Sequence, residues 1–192
     1  MIRPHPHSRL SRSVKSEPHR SEAGFTLIEG MVVVIIIGVL MAILAPSWVA
    51  FNNRQRLNTA NDQVLQAIRA AQAEAKRTHS NRQVRFDNNN DSPRYAILPA
   101  PFGGAVTNWQ SLGGGDVKPG TLRLTTSGGN FIAFNADGIV ATQAQVAGNP
   151  TVGEDQPFRI TIALKNSLNT KRCNKVRTLL GAVTQASNAQ CP

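Results

Sequence analysis

Apolar and polar residues are distributed very unevenly along this chain. Residues 25–51 are almost wholly apolar, whereas the residues after them are rich in Asn, Gln, Thr and Gly. The segment from Gly30 to Asn53 contains no charged residue. As a helix with a rise of about 1.5 Å per residue it would span roughly 36 Å, more than the roughly 30 Å hydrocarbon core of a bilayer. The pattern predicts a transmembrane helix over residues 25–51.

A second helical pattern with a different character follows this apolar stretch. Between residues 52 and 80, apolar side chains recur at spacings of three, four and seven, and charged side chains occupy other positions. The apolar set is Leu57, Val64, Leu65, Ile68, Ala71 and Ala75. This periodicity predicts an amphipathic half of the helix over residues 52–80, whose apolar stripe must pack on another layer.

From residue 81 onward the pattern changes to short alternating stretches, which are typical of strands. The predicted strands are 83–86, 95–98, 121–125, 131–134, 138–142, 158–164 and 175–180, with 182–185 as a further candidate. Between two of them, residues 135–138 (Asn-Ala-Asp-Gly) predict a tight turn, because Gly138 tolerates a positive φ. The expected fold is therefore α+β, with one long N-terminal helix packed on an antiparallel sheet and a β-rich head over residues 81–192.

The N-terminal segment differs from both helical stretches. Residues 1–23 are rich in Pro, Ser, His, Arg and Lys and lack apolar periodicity, which predicts disorder and removal by processing. Basic residues ahead of the apolar run favour a cytoplasmic N-terminus, so the head would cross the membrane. There Cys173 and Cys191 would meet an oxidising compartment. A disulfide between them is the favoured interpretation, and two free thiols are the alternative.

The junction between this segment and the apolar run carries a distinctive motif. It reads Gly24-Phe25-Thr26-Leu27-Ile28-Glu29. Followed by a helix rich in Val, Ile and Leu, it resembles the processing site of type IV pilins and type II secretion pseudopilins. The resemblance implies that residues 1–24 are a leader, cleaved by a prepilin peptidase between Gly24 and Phe25 with N-methylation of Phe25. It also implies that Glu29 neutralises the N-terminal amine of a neighbouring subunit during assembly.

A carboxylate in hydrocarbon is costly without a cationic partner, so Glu29 would act as a register device between subunits. An ordinary membrane anchor whose Glu29 reaches the interface is the alternative.

Pro46 matches a helix-kinking proline of many pilins, and the alternative is that it simply ends the membrane helix. The leader is longer than is common in the family. Gly30 also replaces the usual large apolar residue.

The head resembles the FimT, FimU and GspH type of minor pilin and pseudopilin in residues 65–75, in residues 131–138 and in its cysteine-bounded end. The resemblance implies a subunit near the tip of a type IV pilus that helps to initiate assembly. It would reside in the inner membrane as a single-pass protein with a periplasmic head, and then in the filament. Its partners would be other pilins, the prepilin peptidase, the inner-membrane assembly platform and membrane lipid. A GspH-type pseudopilin of type II secretion is an alternative.

The chain shows no motif of a zinc protease, a P-loop or a dithiol redox centre. We therefore predict no enzymatic activity, no catalytic residue, no metal site and no cofactor.

Positive charge is the remaining signal. The chain carries a net charge of +10. A basic cluster near its end contains Lys165, Lys171, Arg172, Lys175 and Arg177, with Arg159 close by, and the four from Lys171 to Arg177 are the candidate contacts. Such a cluster fits a phosphate backbone, and a solvated surface facing neighbouring subunits or headgroups is the other interpretation. Some FimT-type pilins bind DNA through Gly-Arg-x-Arg, but residues 181–184, equivalent by position, lack both arginines. A DNA-binding minor pilin for natural transformation is the alternative function, with these four residues as its candidate contacts.

Overall fold

The structure, a computed structural model, describes residues 24–89, 92–114, 118–153 and 155–191. Of the predicted leader, all but Gly24 lies outside the described residues. The described chain up to Ile43 forms one compact unit, and the chain from Leu44 onward forms another.

A single helix, α1 (Leu27–Thr78), contains both predicted helical stretches. Pro46 lies inside α1, so it does not end the helix, as the alternative interpretation required. The helix ends at Thr78, where the next residue, His79, adopts a φ of 47°. This left-handed conformation is a common way to stop an α-helix.

Among the described residues, eight strands follow α1, and each pairs with its neighbours in antiparallel fashion. They are β1 (Arg82–Asn89), β2 (Ser92–Pro99), β3 (Gln110–Ser111), β4 (Leu122–Ser127), β5 (Phe131–Phe134), β6 (Phe158–Leu164), β7 (Ser167–Val176) and β8 (Val183–Ser187). They form two four-stranded sheets, with orders β3-β2-β1-β5 and β4-β6-β7-β8. We call these the first and the second sheet.

The core of the head lies between the amphipathic stretch of α1 and both sheets. Of the predicted apolar stripe, Leu57, Val64, Ile68, Ala71 and Ala75 are buried, and Leu65 is partly buried. From the sheets, large side chains such as Phe86, Phe134 and Phe158 complete the same cluster. The α+β fold with a long N-terminal helix on antiparallel strands is thus confirmed, but the expectation of a single sheet is wrong.

Two of the predicted strands need correction. Residues 138–142 form no strand; Val140 makes an isolated bridge to Phe134. Some of the backbone groups in this stretch bond to loop partners instead of to a strand. The Val140 N–H donates to the Leu179 carbonyl at 2.7 Å, and the Ala141 carbonyl accepts from the buried Asn149 side chain at 2.6 Å.

The strand expected at 175–180 lies instead at Ser167–Val176. Its inward positions include Arg172 and Asn174, so polar residues hide the alternation by which a strand is predicted. β3 is so short that no pattern marks it. The turn at 135–138 is as predicted, because the Asn135 side chain accepts from the N–H groups of Asp137 and Ile139 at 3.0 and 3.1 Å.

Candidate functional site

The proposed processing site lies just before the first turn of α1. Gly24, Phe25 and Thr26 have no regular secondary structure, and Phe25 is 85% exposed. A peptidase needs an accessible peptide bond outside a helix, and the Gly24–Phe25 bond meets that requirement.

Thr26 explains why the helix begins where it does. The Glu29 N–H donates to Thr26 Oγ1 at 3.3 Å, and the Gly30 N–H donates to the Thr26 carbonyl at 3.2 Å. A Thr three residues before a Glu is the spacing of a capping box, in which the hydroxyl satisfies a free N–H at the helix start. Sequence reasoning assigned no role to Thr26, although this spacing would have revealed it.

Glu29 itself is exposed and lies in the first turn of α1. A carboxylate at this end of a helix is favoured by the helix dipole by about 0.3–1 kcal/mol. Within this chain it makes no ion pair in the described residues.

The apolar stretch of α1 has no covering from the described chain. The most apolar 18-residue window of α1 has a mean hydropathy of 2.9 and is 0% buried. By length and composition, α1 is the one helix among the described residues able to cross a membrane. Exposing such a surface to water is unfavourable, and lipid or other apolar helices would cover it favourably.

The basic cluster predicted from the sequence is divided by the pleat of β7. Register pairs Lys171 with Ala163 and Lys175 with Arg159 on the outer face of the second sheet, away from α1. Arg172 lies on the inner face, opposite Ile162. Arg177 is exposed and follows the end of the strand. The four residues therefore do not form one contiguous surface.

The outer face of the second sheet nevertheless collects positive charge from three strands. Its positions in register are Arg123, Thr125, Ser127, Arg159, Thr161, Ala163, Lys171, Cys173, Lys175, Thr184 and Ala186. No acidic residue is among them, and the Nε of Arg159 is buried without a hydrogen-bond partner. We call the basic members, Arg123, Arg159, Lys171 and Lys175, the outer basic face.

The inner face of the same sheet has a different character. Asn174 Nδ2 donates to the Asn61 carbonyl at 2.9 Å and to Asn61 Oδ1 at 3.0 Å, which ties β7 to α1. Gln185 Nε2 donates to Asp62 Oδ1 at 3.2 Å beside a polar cavity of about 360 Å³. Arg172 also lines this cavity. Its charge is therefore near Asp62 rather than on the outer basic face.

A disulfide anchors the C-terminus to the outer face. Cys173 and Cys191 are both fully buried, and their Cα atoms are 5.8 Å apart. The disulfide predicted from the two cysteines is thus present. It holds a short 3₁₀ turn (Asn188–Gln190) over β7, where the Gln190 carbonyl accepts a hydrogen bond from Lys175 Nζ. In the described part of the chain, no three His, Cys, Asp or Glu residues are grouped as a metal site would require.

Comparison with known proteins gives a short sequence match and a match of the fold. Residues 19–45 match the family model described as the prokaryotic N-terminal methylation motif. The fold is similar to that of the type IV minor pilin FimU of Pseudomonas aeruginosa strain PAO1, with a TM-score of 0.51 at 12% identity, covering 74% of this chain and 96% of that one.

A second solved structure also aligns, that of the minor pseudopilin EpsH from the Type 2 Secretion System of Vibrio cholerae. Its TM-score is 0.46 at 16% identity, covering 70% of this chain and 98% of that one. No curated protein sequence matches this chain. At such low identities, the likeness to FimU concerns the fold alone, and the methylation motif concerns the N-terminus.

Proposed function

We propose that this chain, a member of the type IV pilin and pseudopilin superfamily by its methylation motif and its fold, is a minor pilin. In this proposal it is a structural subunit without catalytic activity. It enters a type IV pilus near the tip and helps to initiate assembly of the fibre.

The main support for this proposal is the exposed apolar stretch of α1, which follows the processing motif in the sequence. A window of α1 that is 0% buried cannot remain in water, because exposing so much apolar surface is unfavourable. Before assembly the membrane would hold this stretch, and within a filament the equivalent helices of other subunits would cover it. A subunit stored in the membrane and then moved into a fibre requires such a helix.

The motif supplies the chemistry of that transfer in this proposal. The prepilin peptidase would hydrolyse the Gly24–Phe25 bond and release residues 1–24, and N-methylation would modify the new amine of Phe25. Glu29, exposed within the first turn of α1, would then accept the cationic amine of the adjacent subunit. In a low-dielectric filament core this pairing is favourable only in the correct register.

The proposed location follows from the same residues. The apolar stretch would cross the inner membrane once, with the head in the periplasm, where the Cys173–Cys191 disulfide is stable. The working partners would be other pilins, the prepilin peptidase, the inner-membrane assembly platform and membrane lipid.

The test is incorporation of the full chain into sheared pili from a piliated host, measured by quantitative mass spectrometry. We expect Glu29→Ala to be cleaved normally yet to be depleted from filaments by about tenfold or more. Glu74→Ala, which removes another carboxylate of α1, is the matched control and should enter as the parent does. Equal incorporation of Glu29→Ala and parent would contradict the assembly role of Glu29.

Deletion of the gene distinguishes a pilin from a GspH-type pseudopilin. Loss of surface pili with normal protein secretion supports the minor pilin. Loss of type II secretion with normal pili would support the pseudopilin instead.

The outer basic face favours DNA binding as a second candidate function. Arg159 and Lys175 are register partners on adjacent strands, and Lys171 lies on the same face. Like charges placed side by side are unfavourable unless an anion lies against them. A DNA backbone would supply that anion in a pilin that takes up DNA. Of the four contacts proposed from the sequence, Lys171 and Lys175 lie on this face, Arg172 lies on the other face of the sheet, and Arg177 follows the end of β7.

A further inference from the structure

The turn between β7 and β8 carries an apolar pair that the head leaves uncovered. Leu179 is 60% exposed and Leu180 is 74% exposed. Among the described residues after Phe51, they are the large hydrophobic side chains that remain exposed. Isolated exposed leucines are common on protein surfaces, whereas contiguous exposed apolar side chains are a feature of interaction sites.

Backbone hydrogen bonds, one within the turn and one to Val140, hold this turn in one conformation. The Gly181 N–H donates to the Thr178 carbonyl at 2.8 Å, and the Leu179 carbonyl accepts from the Val140 N–H at 2.7 Å. Gly181 has a φ of 75°, which a residue with a side chain adopts only with strain. Because the turn is already ordered, binding through the leucines would cost little conformational entropy.

Gln72 on α1 fastens the turn to the helix. Its Nε2 lies 3.3, 3.4 and 3.4 Å from the carbonyl oxygens of Gly138, Leu180 and Gly181, and its two N–H groups are shared among these three acceptors. A Cβ at Gly181 would collide with the Gln72 side chain. The two leucines are thus displayed from a rigid support.

A cavity of about 400 Å³ lies beside Leu180. Small residues form part of its wall, namely Ala73, Gly181 and Ala182. Arg69 and Lys76 also line it, and no acidic residue does. The surface therefore combines an apolar projection, a hollow able to accept a side chain, and a basic rim. A partner that fits it carries apolar side chains flanked by Asp or Glu.

The position of the turn argues against a membrane as that partner. At about 1.5 Å per residue, the part of α1 from Phe51 to Gln72 is roughly 30 Å long. A bilayer that ends at Phe51 would therefore lie well short of the turn. A second copy of this chain fits poorly as well, since residues 25–192 still carry a net charge of +7 and would bring like charges to a basic rim.

We propose that Leu179, Leu180 and the adjoining cavity dock another subunit of the same filament, through an apolar segment flanked by acidic residues. This proposal rests on the proposed function as a filament subunit. It adds the chemistry of a neighbouring subunit, which α1 alone does not define.

The test is site-specific photocrosslinking of the full chain in its piliated host. p-Benzoylphenylalanine replaces Leu180 and, in a control, the exposed Asn108 of the loop before β3. Peptide mass spectrometry identifies the crosslinked residue. We expect a crosslink from position 180 to an apolar and acidic segment of a different pilin-type subunit, at least about tenfold above the control. Crosslinking to lipid or to a second copy, or a yield equal to that at position 108, would overturn the proposal.

Charge reversal tests the basic rim without altering the turn. Arg69→Glu combined with Lys76→Glu should lower the yield from position 180 by about tenfold, whereas Lys118→Glu, a charge reversal outside the rim, should not. An unchanged yield in the rim variant would overturn the choice of an acidic partner. Each variant is first shown to melt at the parent temperature.

The two proposals fail in different ways. A crosslink from position 180 to a pilin-type subunit, in a chain that never enters filaments, would show that this surface binds such a subunit and would overturn the filament role. Entry into filaments without the crosslink would overturn the docking surface and leave the filament role intact.

Discussion

The two stretches of α1 are both rich in apolar residues, yet only one of them is buried by its own chain. Around Ile36 the side chains are exposed, with Ile36 itself at 53%, whereas Ile68 is 0% exposed in the core of the head. The difference lies in the charged residues. Charges alternate with apolar positions around Ile68, so one face can pack on the sheets while the other meets water. The charge-free stretch has no such polar face and needs a partner from outside the chain.

The largest expected effect comes from removing one buried side chain. Ile68→Ala should lower the free energy of unfolding of the head by about 2–5 kcal/mol, because it leaves a cavity between α1 and both sheets. Ile36→Ala is the matched control and should leave the head unchanged. Thermal unfolding of the detergent-solubilised full chain measures both. Equal destabilisation by the two substitutions would break the contrast between the stretches.

The disulfide should have the next largest effect. Replacing both Cys173 and Cys191 with Ser should destabilise the head by about 3 kcal/mol, because it frees a closed loop in the unfolded chain. Urea unfolding of oxidised parent, reduced parent and variant provides the comparison. The variant and the reduced parent should agree, and a variant as stable as the oxidised parent would contradict the prediction. Since this bond lies in the head, insertion of α1 into membranes should be unaffected.

The prediction for the outer basic face concerns DNA binding and not stability. Combined Arg159→Ala, Lys171→Ala and Lys175→Ala should weaken binding to double-stranded DNA, because these side chains would neutralise backbone phosphates. The log–log dependence of binding on salt should flatten by about 0.9 for each phosphate that the variant no longer neutralises. Arg172→Ala, on the inner face, is the matched control. Binding that depends on Arg172 as strongly as on the other three, or no binding at low salt, would contradict the assignment of the outer basic face to DNA.

The smallest effect is expected at the start of α1. Thr26→Ala should cost about 1 kcal/mol of helix stability, confined to the first turn, because it removes the acceptor for the Glu29 N–H. Thr26→Ser retains the hydroxyl and is the control. Hydrogen exchange of the N–H groups of the first turn measures the change. Faster exchange in Thr26→Ser than in Thr26→Ala would rule out the capping role.

Sequence patterns predict those elements whose burial follows from regular spacing. The stripe from Leu57 to Ala75 and the strands at 131–134 and 158–164 lie where the alternation places them. β7 differs from its predicted position because Arg172 and Asn174 occupy inward positions, where the second of them bonds to Asn61 rather than packing as an apolar residue. Such a long-range polar contact leaves no local signal in the sequence.

The candidate sites also differ in whether a local stretch of sequence defines them. The processing motif is contiguous, so the sequence alone is enough to propose it. The outer basic face joins Arg123 and Arg159 to Lys171 and Lys175 through strand register. The docking surface joins Gln72 to Leu180 across the fold. Neither of these surfaces could be assembled without knowing which strands and turns are neighbours.

The most direct test of the central claim is the mass of the N-terminal peptide of this protein in sheared pili. A member of the filament processed as proposed begins at Phe25 and carries one added methyl group on its amine. Protein found only in membranes, with residues 1–24 still attached, would contradict the account and indicate an ordinary membrane anchor.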